Sequence, residues 1–130
     1  MKIFDCTTFF DEKMMMEVRF NILNKFVHKF IVVESLFSHS GKKKKLNFKK
    51  NDYPKFKDKI EYIVIENEPD NLLVDNQDSK EKSYKRLNSI KRIEQSYNYM
   101  LRGLKNADDN DFIMLSDNDE IPNLEIIDLD

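Results

Sequence analysis

Short dense apolar runs alternate along the chain with amphipathic and polar stretches, and the spacing within each predicts an element. Lys2 to Thr8, with Ile3, Phe4 and Cys6 apolar, reads as a strand. Phe9-Phe10-Asp11-Glu12 then opens a helix with Asp11 as its expected N-cap, and Met15, Val18, Ile22, Leu23 and Phe26 recur at helical spacing. Phe30 to Val33 is a continuous apolar run of the kind buried on both faces, closed by Glu34-Ser35. Leu36 to Lys59 is polar and Lys-rich, an excursion with one helical turn expected near Lys55. Ile60 to Ile65 is a third strand. Glu66 to Ser83, rich in Asn, Asp and Ser, is expected to be a mobile loop. Leu87, Ile90, Ile93, Tyr97, Met100, Leu101 and Leu104 mark a long amphipathic helix. Asn106 to Asn110 breaks it, Phe112 to Leu115 reads as a fourth strand, expected to be buried, and a further helix is expected from Pro122.

Strands that alternate with helices or long crossovers imply a parallel sheet with helices on its faces. The fold class is therefore α/β, a mostly parallel sheet flanked by helices. No internal repeat interrupts the 130 residues, which are read as one unit spanning 1–130.

Composition narrows the function. Hydrophobic residues make up 40% of the chain, with ten Phe and five Tyr, enough for a packed core. Charged residues are 35% but cancel to a net charge of -2, which argues against nucleic acid as a partner. With two glycines in the chain, a glycine-rich phosphate loop is excluded. A lone cysteine, Cys6, excludes an internal disulfide and a cysteine zinc site, and reads as a core thiol in a reducing compartment. No stretch approaches the ~20 apolar residues of a membrane span. The chain begins directly on a strand-like run with no leader pattern, so a cytoplasmic location is expected.

The chemistry gathers at strand ends. Asp117-Asn118-Asp119-Glu120 follows the fourth strand, at the carboxyl end where ligands bind in open α/β sheets. On extended backbone Asp117 and Asp119 point to one side and can share a hard cation, Mn²⁺ or Mg²⁺, which in turn can neutralise a diphosphate. Glu120 is placed to orient a ligand from behind. The competing reading is a solvated acidic turn. Glu34 and Ser35 end the second strand, where an acid can accept from ribose hydroxyls or pair with a nearby lysine. Thr7, Thr8 and Phe9 end the first strand and face the same crevice. Phe9 or Phe10 can stack on a base, with core packing expected for at least one of them.

Arg19 lies near the core edge of its helix. It can reach a phosphate or pair with Glu17 or Glu34, and a structural ion pair is favoured. Arg92 and Arg102 carry the same two readings, and Asn98 is placed to cap a loop or touch substrate. The run Lys42 to Lys45 reads as a solvated loop, alternatively as a basic flap over an anionic ligand. His28 belongs at a helix-to-strand junction and His39 in a loop, and neither has the setting of a catalytic base. No Ser-His-Asp arrangement is visible.

Several blocks together resemble glycosyltransferase family 17, whose best known members are β-1,4-mannosyl-glycoprotein β-1,4-N-acetylglucosaminyltransferases. They are Phe4-Asp5 through Phe9-Phe10 with Glu17-Val18-Arg19-Phe20-Asn21-Ile22-Leu23; Phe30-Ile31-Val32-Val33-Glu34-Ser35 with Phe37-Ser38-His39-Ser40-Gly41-Lys42; Arg102-Gly103-Leu104; and Ser116-Asp117-Asn118-Asp119-Glu120-Ile121-Pro122. Their order and spacing are similar to the family's N-terminal half. The resemblance implies a GT-A-like fold of which this chain is the N-terminal part. It also implies a UDP-sugar donor, with N-acetylglucosamine the expected sugar, a carbohydrate or glycoconjugate acceptor, and a divalent metal on a D-x-D motif formed by Asp117 and Asp119. Glu34-Ser35 match the family's strand-end pair, and Glu17 and Arg19 its Glu-x-Arg pattern. Tyr97 precedes Asn98 where family members commonly carry Arg. The family's acceptor contacts and base are expected in a part beyond the D-x-D motif.

The nucleotide-sugar site is thus expected to comprise Thr7, Phe9, Arg19, Glu34, Ser35 and Asp117, with the metal on Asp117 and Asp119. One alternative is a non-catalytic module that forms a homo-oligomer through an open sheet edge. Another is a phosphohydrolase-like domain in which Asp5 is the nearest substitute for the usual nucleophile.

Overall fold

The computed structural model describes residues 1–74 and 81–129. Four parallel strands, β1 (Ile3–Thr8), β2 (Lys29–Ser35), β3 (Ile60–Ile65) and β4 (Phe112–Leu115), form one sheet in the order β3-β2-β1-β4. Helix α1 (Lys13–Leu23) links β1 to β2, and α2 (Glu81–Met100) lies between β3 and β4. The α/β architecture expected from the alternation is the one observed.

Strand alternation splits the core into two layers. Ile3, Phe30, Val32 and Ile60 pack against Met16, Phe20 and Leu23 of α1, together with Phe48, Tyr53 and Phe56 from the excursion after β2. Phe4, Cys6, Ile31, Val33, Ile63 and Ile65 form the opposite layer with Met100 of α2. After α2 a single 3₁₀ turn (Leu101–Gly103) lies so close to the sheet that a Cβ on Gly103 would fall 2.7 Å from the Ile31 side chain. Only glycine permits that approach.

Four sequence expectations change. Helix α1 starts after Glu12, not at an Asp11 cap, and no side chain caps its N-terminus. Glu12 instead turns its carboxylate back to accept from the N–H groups of Phe10 and Asp11. The buried face of α1 is Met16, Arg19, Phe20 and Leu23, whereas Val18 and Ile22 are nearly half exposed. The true stripe has the i, i+3, i+4, i+7 spacing of a buried face, but it contains an arginine that an apolar pattern passes over. On α2 the buried positions among the described side chains are Asn88, Ser96 and Met100, while Leu87, Ile90 and Tyr97, and Leu101 of the turn that follows, stay largely exposed. After Pro122 the chain runs as turns rather than a helix, because Leu124 enters the α1-side core and Ile121 and Leu129 pack against it.

The polar face of α2 explains the second excursion. Asn88 both donates to and accepts from the backbone of Leu73. Lys91 donates to the carbonyl of Asn71, Gln95 to that of Asn67, and Arg92 to the Glu68 carboxylate. Residues 67–73 are therefore stitched to the helix rather than free. Residues 75–80 of the expected mobile loop lie outside the described residues.

Burial raises several proton-binding groups. The Cys6 thiol is pushed up from 9.0 to about 12 by desolvation, with the neighbouring Asp5 charge adding to it. The Tyr62 phenol rises above the ordinary 10.0 through desolvation, then through its hydrogen bond to the Glu34 carboxylate. A folded state that holds a proton more tightly than the unfolded chain is stabilised below the unfolded value and loses that stability as pH rises. Chemical unfolding in the alkaline range is therefore expected to show stability falling above about pH 9. Tyr62→Phe is expected to lessen the part of the fall above about pH 10, the remainder belonging to Tyr53, whose phenol burial pushes up to about 12.

Candidate functional site

Chain direction creates the crevice. From β1 the chain crosses to β2 and β3 on one side, then returns to place β4 on the other side of β1. The strand order reverses between β1 and β4, and ligands of open α/β sheets bind in the crevice at the carboxyl ends of strands at such a reversal. A cavity of about 790 Å³ lies there, lined from β1 by Thr8, Phe9 and Phe10, from β2 by Ser35, and from beyond β4 by Asp117 to Asp119. The turn after β2, including Ser38, His39 and Ser40, and Arg92 and Ser96 of α2 complete its wall.

The acidic rim is shaped from beneath by Arg19. Its side chain is fully buried beside an equally buried Asp5 of β1. Nε and Nη2 donate to the two Asp5 carboxylate oxygens at 2.8 and 2.6 Å, a forked pairing. Nη2 also donates to Ser116 Oγ at 2.7 Å, and Nη1 donates to the carbonyls of Asp117 (2.9 Å), Asn118 (3.3 Å) and Glu120 (2.9 Å). Every guanidinium N–H is engaged. Because the carbonyls of this turn point inward to Arg19, its carboxylates are presented outward. Asn118, buried between them, donates to the Thr8 carbonyl at 3.3 Å and ties the turn to β1. Glu120 N donates to the Asp117 carbonyl, and Glu120 Oε1 accepts from Asp117 N.

Asp117, Asp119 and Glu120 are exposed, and each offers a carboxylate oxygen within 4.8 Å of the others. Three oxygen donors at this separation suit a hard divalent cation. Glu120, expected behind the pair, stands beside it.

The other expected site residues divide into two layers. Phe9, Ser35, Asp117 and Asp119 line the cavity. Thr7, Arg19 and Glu34 are buried one layer below. The partner of Arg19 is Asp5, not Glu17 or Glu34. Glu34 accepts from Lys44 Nζ (2.7 Å), Asn47 N (2.8 Å), Phe48 N (3.0 Å) and Tyr62 Oη (2.6 Å). It is the anchor on which the lysine-rich excursion folds. Within the lysine run, Lys44 is a partner of Glu34, and its neighbours Lys42, Lys43 and Lys45 are exposed. Of the two phenylalanines after β1, Phe9 is core, edge-on to Phe48, and Phe10 stands half exposed at the cavity with the Lys44 ammonium 5.3 Å from its ring. Asn98 and Tyr97 are exposed on α2 and do not line the cavity, and Arg102 stacks on Tyr99. His28 lies at the junction before β2, edge-on to Phe4.

The cavity's cations are already engaged. Among the described lining residues, the cationic side chains are Lys44 and Arg92. Lys44 is paired with Glu34, and Arg92 with Glu68 at 2.9 Å. Spacing alone does not reveal these pairings, because each joins an excursion residue to a regular element: Lys44 to Glu34 of β2, and Glu68 to Arg92 of α2.

Breaking the Arg19–Asp5 pair on one side strands a buried charge. Asp5→Asn and Arg19→Met are each expected to lower the unfolding free energy by about 3 kcal/mol or more, read by urea denaturation. A change under about 0.5 kcal/mol, the range of ordinary surface substitutions, would contradict this account of the turn.

Comparison with known proteins adds one positive finding. The family model described as glycosyltransferase family 17 matches residues 1–130, the whole chain. No curated protein and no solved structure gives a match.

Proposed function

The chain belongs to glycosyltransferase family 17, and from that premise we propose that the crevice binds a UDP-sugar, with N-acetylglucosamine the transferred sugar and a carbohydrate hydroxyl the acceptor. The observation that carries this reading is the charge distribution of the cavity. A nucleoside diphosphate brings charge that must be met in the site. Both lining cations are held by glutamates, so the charge falls to a cation gathered by Asp117, Asp119 and Glu120.

In this reading Asp117 and Asp119 hold Mn²⁺ or Mg²⁺, with Glu120 completing the oxygen set. Such a cation, when bound, supplies electrostatic neutralisation of the departing diphosphate. The remaining contributions belong to the chain's own residues. Arg19 keeps the turn carbonyls turned inward, so the carboxylates are pre-oriented before any ligand arrives. Phe10 offers an exposed ring face to the uracil base, and Phe9 packs beneath the same wall. Ser35 offers its hydroxyl at the end of β2, already accepting from Phe37 N. Thr7, Arg19 and Glu34 support the donor site from the layer below.

Titration calorimetry of the chain with UDP is expected to show binding that depends on Mn²⁺. Asp117→Asn and Asp119→Asn are each expected to weaken it by at least about tenfold, the loss of a charge-assisted contact. Equal affinity for UDP in EDTA and in Mn²⁺ would overturn the metal assignment.

The exposed edge favours a second reading, a module that associates through its sheet. In the described sheet β4 pairs on one side only, and Phe112, Ile113 and Leu115 are 39–51% exposed. On that reading, sizing chromatography gives a dimer that is unaffected by EDTA and binds no UDP. The phosphohydrolase alternative loses its nucleophile, because Asp5 is fully buried and held by both oxygens to Arg19.

A further inference from the structure

We infer, resting on the donor-site reading of this cavity, that the turn Ser38 to Lys42 is the wall that reads the hydroxyl groups of the transferred sugar, and that Arg92 is the positioning residue that sets it. The turn is closely built. Ser38 N donates to the Lys42 carbonyl at 2.8 Å, and Gly41 N to the Ser38 carbonyl at 2.9 Å. Lys42 N donates to Ser38 Oγ at 3.1 Å, and Phe37 and Lys43 bridge its base. Gly41 sits at φ +89°, in the left-handed region that other residues avoid.

Arg92 clamps this turn from a distant helix. Its Nη1 donates to the His39 carbonyl at 3.0 Å, while Nε and Nη2 hold Glu68 at 2.9 and 3.3 Å. One side chain thus joins α2, the chain after β3 and the turn after β2. The fit is tight enough that a Cβ on Gly41 would fall 2.5 Å from Arg92 Nη2. The glycine therefore serves two ends, the turn's conformation and the approach of the guanidinium.

The chemistry of the wall selects its ligand. Ser38 Oγ and Ser40 Oγ lie 2.9 Å apart and share one hydroxyl hydrogen, which leaves the pair a second hydroxyl donor and spare lone pairs. The His39 imidazole is exposed beside them. Because Glu68 neutralises Arg92 and the exposed Lys42 is not among the lining residues, the part of the turn that lines the cavity presents the hydroxyls of Ser38 and Ser40 and an imidazole with little net charge. Such a surface matches the hydroxyls of a hexose better than a diphosphate, whose counter-charge lies across the cavity at the acidic turn.

The test compares UDP with UDP-N-acetylglucosamine, both with Mn²⁺, by titration calorimetry on the chain and on three variants: Arg92→Gln, Gly41→Ala and the double variant Ser38→Ala/Ser40→Ala. For each variant, affinity for the UDP-sugar is expected to fall about tenfold, the scale of one or two lost hydrogen bonds. Affinity for UDP should stay within about twofold, far less than one hydrogen bond is worth. Amide exchange across residues 38–42 should quicken in Arg92→Gln and Gly41→Ala, whereas in the serine variant it should quicken at Lys42 alone, whose N–H loses Ser38 Oγ while the backbone bonds of Ser38 and Gly41 remain. The serine variant also covers the case in which the other two fail to fold. If the wild-type chain binds neither ligand, the donor-site reading fails. If it binds the UDP-sugar and the variants lose nothing, or lose UDP equally, the wall assignment fails while the donor site stands.

Discussion

One guanidinium organises the business end of this protein. Arg19 projects from α1 into the layer beneath the sheet, locks onto Asp5 of β1 and gathers the carbonyls of the turn that follows β4. A buried ion pair contributes little net stability over an apolar alternative. What this one supplies is geometry. Three backbone carbonyls directed at one cation leave three carboxylates directed at solvent. The acidic rim of the crevice is thus a consequence of a contact one layer down. Mutual repulsion among Asp117, Asp119 and Glu120 is tolerated because the turn is tied from behind by the same side chain.

A second buried acid works by the same logic. Glu34 stands on the α1 face of β2, as Asp5 does on β1, and it too is saturated by donors. Its donors come from the lysine-rich excursion and from Tyr62, so polar contacts fix the start of a stretch whose Phe48, Tyr53 and Phe56 then enter the core. Two strand positions that face the core therefore hold charge, and each recruits the segment that shapes one wall of the cavity. The same economy leaves Lys44 and Arg92 neutralised and concentrates the net negative potential at one rim.

Much of this was legible in the order of elements. The apolar runs at Ile3, Phe30, Ile60 and Phe112 are short and β-compatible, and all four are strands. The three acids after β4 were visible as a cluster at the carboxyl end of an apolar run. Asp108, Asp109 and Asp111 nevertheless crowd the other end of that run, and the strand itself, expected to be buried, is largely exposed. Helix phase was harder to read. On α1 the apolar residues Val18 and Ile22 face outward, and the helix is instead rotated to bury Arg19. On α2 the helix buries Asn88, which holds the backbone of Leu73, and Ser96, whose hydroxyl turns back to the Arg92 carbonyl beside the cavity. A hydrophobic count has no means of scoring a buried polar residue whose partner lies dozens of residues away.

The amino-acid sequence by itself determined the layered α/β design, the parallel strands and the place of the acids at a strand's carboxyl end, since each follows from local periodicity and the rules of chain connection. Only the tertiary structure decided which polar residue meets which. Asp5 with Arg19, Glu34 with Lys44, and Arg92 with both Glu68 and His39 are long-range choices made when separate segments close on one another. Burial makes those choices sharp, because an unpaired charge under the sheet costs more than any local preference can return.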